Sequence, residues 1–344
     1  MKKRPLRILF LVLILGVFGL GYLAYSNDKI QNIKPVINLT KNNQAPAPPK
    51  ENTSSNTLVA VGDMMLSRNV GTKIRAAGDV NSPFLKTAAI LQNADITFGN
   101  LESPFYDQGK PVTEGMVFKA EPDTIGGLVY AGFDIVSLCN NHFGNQGQKG
   151  EQYTFSLLLK NNIQYVGAGE TAAKARELNI IEKNGIKFGF LGYDDMISTY
   201  TPQSYQATIE KPGVNPLVLE NVKADVKKAK EQVDVVVVTF HWGTEYKTVP
   251  NQQQIDIAHT AIDSGASLII GHHPHVAQYF ETKPYEKYQD GYIFYSLGNF
   301  VFDQMWSENT RKGLVAKVQF KGKNIEKVDA IPITIYDYFQ PKPD

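Results

Sequence analysis

The chain has 344 residues, 42% apolar and 20% charged, with a formal net charge of +1. That length supports one large core, or at most two small ones, beside a membrane segment. The near-neutral balance lacks the clustered basic excess of a nucleic-acid binder and excludes that class.

The charge is unevenly spread along the chain. Lys2, Lys3, Arg4 and Arg7 precede an uncharged apolar run, Ile8 to Tyr25. The rest of the chain holds 31 Lys and Arg against 34 Asp and Glu, a formal −3. Eighteen apolar residues span about 27 Å as a helix, close to the thickness of a bilayer core. Basic residues on the amino side alone predict a cytoplasmic tail at 1–7 and a single-pass anchor in the cell membrane at 8–25. A cleaved signal peptide is the competing reading. Its best local cleavage motif, Tyr22-Leu23-Ala24, places an aromatic where a small residue is needed, which favours an uncleaved anchor.

Residues 26–56 are rich in Asn, Pro, Ser, Lys and Gln. Ala45-Pro46-Ala47-Pro48-Pro49 favours extended polyproline backbone, so this stretch reads as a tether. The region 57–344 then forms one extracytoplasmic domain. The single cysteine, Cys139, permits no intrachain disulfide and fits a bacterial envelope. It follows an apolar run and reads as a buried thiol rather than a nucleophile.

In chain order, apolar runs predict strands at 57–62, 95–99, 133–138, 164–167, 233–240, 267–271 and 292–297. Amphipathic stretches predict helices at 83–93, 122–131, 149–162, 217–231 and 252–264. Residues 178–193 read as a hairpin turning at Asn184-Gly185. Residues 313–336 read as further strands with a turn near Gly322. The run at 233–240 is apolar on both faces and should be central in its sheet. Hairpin and carboxyl-terminal strands interrupt the strand–helix alternation, so the class is α/β with mixed sheets rather than a doubly wound sheet.

Polar motifs stand where these strands end, and five of the six histidines lie in them. Asp63 follows Gly62 and suits a cation ligand or a helix N-cap. In Asn100-Leu101-Glu102, Glu102 suits a bridging carboxylate with Asn100 orienting it, or the motif is turn chemistry before Ser103-Pro104. Asn140-Asn141-His142 offers an amide carbonyl beside an imidazole, or an ordinary polar loop. His241 closes the 233–240 run at the mouth of a sheet, unless it is a satisfied core residue. Glu245 stands four residues later as a supporting carboxylate or extra ligand.

Gly271-His272-His273-Pro274-His275 is the sharpest signal. Three imidazoles in four residues are costly to bury unless paired, and His-x-His lets two of them diverge to neighbouring cations. With Pro274 fixing the backbone, His273 and His275 are taken as ligands. His259 reads as structural or exposed. Ser296-Leu297-Gly298-Asn299 lacks a nucleophile elbow, so this stretch reads as a wall of the site with Asn299 and Asp303 as supporting or substrate-contacting groups. Lys223, Lys227, Lys228 and Lys230 read as a solvated helix face.

As a set, Gly62-Asp63-Met64-Met65-Leu66, Asn100-Leu101-Glu102, Asn141-His142, His241-Trp242-Gly243-Thr244-Glu245-Tyr246, His273-Pro274-His275-Val276 and Ser296-Leu297-Gly298-Asn299-Phe300 resemble the CapA family of bacterial capsule proteins. The family acts in poly-γ-glutamate synthesis or export and is related to the calcineurin-like metallophosphoesterases. The resemblance covers about residues 57–305 and implies a four-layer α/β/β/α sandwich. It also implies one or two divalent ions, Mn, Zn or Fe. Asp63 and His275 would hold one ion and Asn141, His241 and His273 the other, with Glu102 bridging and His142 facing the substrate as the catalytic residue. Poly-γ-glutamate and membrane synthase subunits are the implied partners.

The chain departs from the metallophosphoesterase pattern at Met65, where Asp-x-His would supply an imidazole. Two readings follow: a metal-dependent hydrolase of a phosphoester or amide, and a non-catalytic scaffold or polymer-binding subunit. A secreted phosphoesterase with no capsule role is a third.

Overall fold

The structure, a computed structural model, describes residues 53–196 and 206–344. The expected tail, the anchor at 8–25 and the tether up to residue 52 lie outside the described residues. Among the described residues, no helix is long and apolar enough to cross a membrane.

The strands are, in chain order, β1 Ser55–Met64, β2 Ile96–Leu101, β3 Ile135–Ser137, β4 Gln164–Val166, β5 Ala168–Gly169, β6 Asn179–Lys183, β7 Ile186–Asp194 and β8 Gly213–Val214. They continue with β9 Val235–His241, β10 Leu268–His272, β11 Glu286–Tyr288, β12 Gly291–Phe294, β13 Asn299–Val301, β14 Lys312–Lys321, β15 Asn324–Tyr336 and β16 Gln340–Pro343. The α-helices are α1 Arg68–Ala77, α2 Ala88–Gln92, α3 Ile125–Ala131, α4 Gly147–Lys160, α5 Ala172–Ala175, α6 Leu219–Lys230, α7 Gln252–Asp263 and α8 Glu308–Arg311.

Two large sheets carry the fold. One runs β16-β15-β14-β1-β2-β3-β4, with β13 also paired to β1. The other runs β11-β12-β10-β9-β7-β6. Each mixes parallel and antiparallel pairs, as expected for mixed sheets. β9 lies between β7 and β10 and is buried at every residue, as apolar side chains on both of its faces require.

The two-residue period of each strand divides the apolar side chains among three cores. Leu58 and Ala60 of β1 join Val235 and Val237 of β9, Phe98, Phe190 and Ile270 in one core built from both sheets. Val59 and Val61, the alternate residues of β1, pack with Val70 and Ile74 of α1, Leu128 of α3 and Phe155 and Leu158 of α4. Val236, Val238 and Phe240 of β9 pack with Val222 and Val226 of α6 and Ala258 and Ala261 of α7. The helices form because their apolar positions recur at three and four residues. α7 also starts with a reciprocal capping box between Asn251 and Gln254.

Three expectations need correction. The helix expected at 83–93 is α-helical only over Ala88–Gln92; before it, Phe84 N–H and Thr87 N–H bond three residues back in successive turns after Pro83. The helix α1 was not anticipated, because only Val70, Gly71 and Ile74 of its ten residues are buried and the apolar stripe is too sparse to read. The strand expected at 292–297 ends at Phe294; the chain then crosses to the other sheet, where β13 pairs with β1 in parallel. The hairpin does turn at Asn184-Gly185, both with positive φ. Its second strand also pairs in parallel with β9.

Candidate metal centre

β1, β2, β7, β9 and β10 all end near the site, and the ends of neighbouring strands are in register. Asp63 is opposite Asn100, Asp194 is opposite His241, and His241 is opposite His272. A bulge in β1 between Val61 and Asp63 re-aims the aspartate. The bulge needs glycine at 62, since a Cβ there would stand 1.8 Å from the Gly298 carbonyl oxygen. Gly271 is under the same constraint against the Tyr295 carbonyl at 1.9 Å.

Asp63, Glu102 and His275 form the first group. Each is fully or almost fully buried, and each has a ligating atom within 4.8 Å of the others. His275 Nδ1 is 3.4 Å from Asp63 Oδ2, and its Nε2 is 3.6 Å from Glu102 Oε1. The amide of Asn100 donates to Asp63 at 2.8 Å and to Glu102 at 3.3 Å, and so orients both carboxylates. Asn140 in turn donates to the Asn100 oxygen at 3.1 Å.

Asn141, His241 and His273 form the second group. His241 Nε2 is 3.0 Å from Asn141 Oδ1 and 3.2 Å from His273 Nδ1. His273 N–H donates to Asp63 at 3.3 Å and joins the two groups. His273 and His275 have φ of 94° and 58°, values that L-residues adopt only when the surroundings impose them. The His-x-His segment is thus bent so that both imidazoles turn inward.

The electrostatics of the two groups differ. Burial works against the charge on Asp63, yet the His272 and His275 imidazoles hold its carboxyl well below the usual range. Burial and the negative charge of Asp63 push Glu102 well above it. Burial opposes charge on His275, but the Glu102 and Asp63 carboxylates lift it to about 9. Burial lowers His273 to about 3 and, with the His273 charge, lowers His241 well below its ordinary value. The neutral imidazoles of His241 and His273 offer the lone pairs that a cation needs, whereas His275 must give up the proton that the two carboxylates hold on it before it can ligate.

The donor set fits a divalent ion. Glu102 Oε1 is buried without a hydrogen-bond partner, a costly arrangement that a cation beside it offsets. Mixed imidazole, amide and carboxylate donors suit Zn, Mn or Fe better than the all-oxygen cages of Ca.

His142 is buried at the edge of the site. Its ring stacks on Phe118 with centroids 3.9 Å apart, and burial lowers its pKa to about 4. Its Nδ1 is 2.9 Å from Asn145 Oδ1, which also accepts the Phe118 N–H at 2.7 Å. An oxygen acceptor keeps the proton on Nδ1 and leaves Nε2 as the basic atom.

The other expected residues take distinct places. Asn299 Oδ1 is 2.9 Å from His275 Nδ1 and supports that ligand. Asp303 faces Arg68 at 3.0 Å, as a charge contact rather than an aligned hydrogen bond, and accepts the Asn69 N–H. Glu245 is close enough for its charge to act on Glu102 and His275, but no hydrogen bond links it to them. Asp63 lies within β1, so the N-cap alternative fails; Ser67 precedes the helix instead. Ser296 donates to the Val276 carbonyl, a structural bond. His259 pairs with Glu286 and stacks on Tyr288. Cys139 is buried beside Ser137, and burial pushes its thiol up to about 12, which makes it unreactive.

Sequence reasoning missed four participants. His272, set aside as the odd histidine, has Nδ1 3.3 Å from Asp63 Oδ1. The contact is close but not aligned as a hydrogen bond, and neither ring nitrogen has another partner. Asp194 ends β7 beside His241, has one partnerless oxygen, and is raised to about 8 by burial. Arg68 and Asn145 were also overlooked. A strand-end acid, as used for Asp63, was the available signal for Asp194, and the histidine cluster itself was the signal for His272; Arg68 and Asn145 carry no comparable mark.

A family model described as "Bacterial capsule synthesis protein PGA_cap" matches residues 57–304. The capsule biosynthesis protein CapA of Bacillus anthracis is 33% identical over 307 residues, covering 87% of this chain and 72% of the relative. The PGA biosynthesis protein CapA of Bacillus subtilis strain 168 is 32% identical, covering 84% and 75%. A crystal structure of a hypothetical protein from Thermus thermophilus aligns with TM-score 0.50 at 14% identity, covering 80% of this chain and 98% of that one, a likeness of fold alone. Sequence and family model agree over the strands and loops that carry every residue of both groups, and the chain belongs to the bacterial capsule synthesis protein family PGA_cap.

Proposed function

We propose that this protein is a membrane-anchored component of poly-γ-glutamate capsule production whose domain is a metal-dependent hydrolase. Supporting the capsule role are the family and the two relatives named for capsule and PGA biosynthesis. Supporting the anchor is the apolar run at 8–25 behind four basic residues. The three cores, one between the sheets and two beneath helices, support a four-layer α/β/β/α sandwich of the metallophosphoesterase type.

One observation carries the hydrolase reading: two buried donor groups converge on neighbouring strand ends and are linked by the His273 N–H bond to Asp63. Asp63, Glu102 and His275 would hold one divalent ion; Asn141, His241 and His273 would hold a second. When bound, such ions supply Lewis acidity toward a phosphoryl or carbonyl oxygen. Asn100 fixes the carboxylates, Asn299 fixes His275, and Asn145 presents His142 with Nε2 free to accept or relay a proton.

Met65 favours a second reading, a non-catalytic scaffold or polymer-binding subunit, because the usual first-motif imidazole is missing there. Its sulfur instead accepts the Ser67 N–H at 3.2 Å. Metal content of the purified full chain, beside His273→Ala/His275→Ala, tests the proposal. About two ions per chain, lost in the variant, support the dinuclear site. A folded protein that takes up neither Mn nor Zn would sink the hydrolase and leave the scaffold.

A further inference from the structure

Beside the metal centre is a cleft of about 450 Å³, open to solvent, between the start of α1 and the loop at 111–121. Arg68, Arg75 and Lys119 line it, together with the polar Ser67 and Thr72. Its one acid is Glu121, which pairs with Lys119 at 2.7 Å. Arg75 is exposed and has a side-chain bond only to Thr72, so its charge faces the cleft without an acidic partner. Arg68 is held with φ of 49°, and its guanidinium bridges Asp303 and the face of Phe118, 5.5 Å from the ring centroid. Phe118 is the ring stacked on His142. The cleft therefore opens one aromatic ring away from the catalytic imidazole. The Lys119 N–H donates to Ser67 Oγ and ties the two walls together.

We infer that this cleft binds carboxylate groups of an acidic polymer and leads the chain to the metal centre, with Arg68 and Arg75 as its principal contacts. Guanidinium groups grip carboxylates by paired N–H donors. Arg68 is fixed by Asp303 on one edge and keeps further N–H groups for a ligand. The excess of positive charge is local, since the chain outside its basic tail is mildly acidic. The inference rests on the proposed role in poly-γ-glutamate production and names how that site would recognise its polymer.

The test is binding of a fluorescent γ-linked oligoglutamate of about ten residues to the full chain by anisotropy, at several salt concentrations. Arg75→Ala and Arg75→Ala/Lys119→Ala alter side chains at the rim of the cleft, and their melting curves check folding. The expected result is affinity lost about tenfold in the double variant, with a shallower salt dependence than in the parent. Arg68→Lys, which keeps the charge and loses the fork, should weaken binding severalfold. Unchanged affinity in the folded double variant, or equal binding of the uncharged γ-linked glutamine oligomer, overturns the cleft. The same assay on His273→Ala/His275→Ala separates the two readings. Oligomer binding retained without metal supports the cleft whether or not the hydrolase stands. Metal uptake by a parent that binds no oligomer overturns the cleft and leaves the metal centre.

Discussion

His272 Nδ1 lies 3.3 Å from Asp63 Oδ1, and both side chains are buried. An imidazole therefore stands beside Asp63 although Met65 occupies the position where the resemblance to metallophosphoesterases would place one. It arrives from β10, more than 200 residues along the chain, rather than from β1.

His272→Gln should lower the affinity for Zn or Mn by about 10–100-fold while the protein stays folded, the usual cost of losing a group that orients a ligand. Titration calorimetry on chelator-treated protein measures it. Unchanged affinity would make His272 a packing residue beside Phe98.

Glu102→Gln should separate metal binding from folding. Burial and the charge of Asp63 push this carboxyl well above the usual carboxylate range, so an amide of the same shape should leave the melting temperature of chelator-treated protein nearly unchanged. Added Zn or Mn should stabilise the parent by about 3 kcal/mol at a hundredfold excess over Kd, and the variant much less. Equal metal-induced shifts in both would remove Glu102 from the ligand set.

His142→Ala should reduce turnover, read as polymer output or release by cells carrying the variant, by about 10²–10⁴-fold with metal content unchanged. Asn145→Ala should do the same in part, because it frees the Nδ1 proton that fixes the tautomer. Full polymer output from folded His142→Ala would favour the scaffold.

Glu151 gives a pH signature away from the metal centre. Burial, then the charge of Glu170, pushes its carboxyl up to about 8, and neither oxygen has a hydrogen-bond partner. The folded chain thus holds a proton that the unfolded chain releases near pH 4.5. Stability contributed by this group is complete below that pH and declines as pH rises toward 8. Glu151→Gln should melt with the parent at pH 4–5 and several degrees above it at pH 8–9. Parallel melting curves at both ends would show that Glu151 is ionised in the folded chain.

Local pattern determined much of this protein. The run at 233–240, apolar on both faces, required a central strand, Asn184-Gly185 required a tight turn, and acid, amide and imidazole residues at strand ends marked the site. Those features depend on neighbours within a few residues, and periodicity records them directly. Only the tertiary structure decided which strand ends meet. Asp63 with His272, Asp194 beside His241, and Arg68 across Asp303 join residues from about 50 to more than 200 positions apart. Parallel register aligns Asp194 with His241, the packing of one sheet on the other brings Asp63 to His272, and the loop after β13 carries Asp303 to the start of α1; the long crossovers and loops that join these elements leave no periodic trace in the sequence. The same reason hid the end of β12, where the chain leaves one sheet at Phe294 and re-enters the other at Asn299 to support His275.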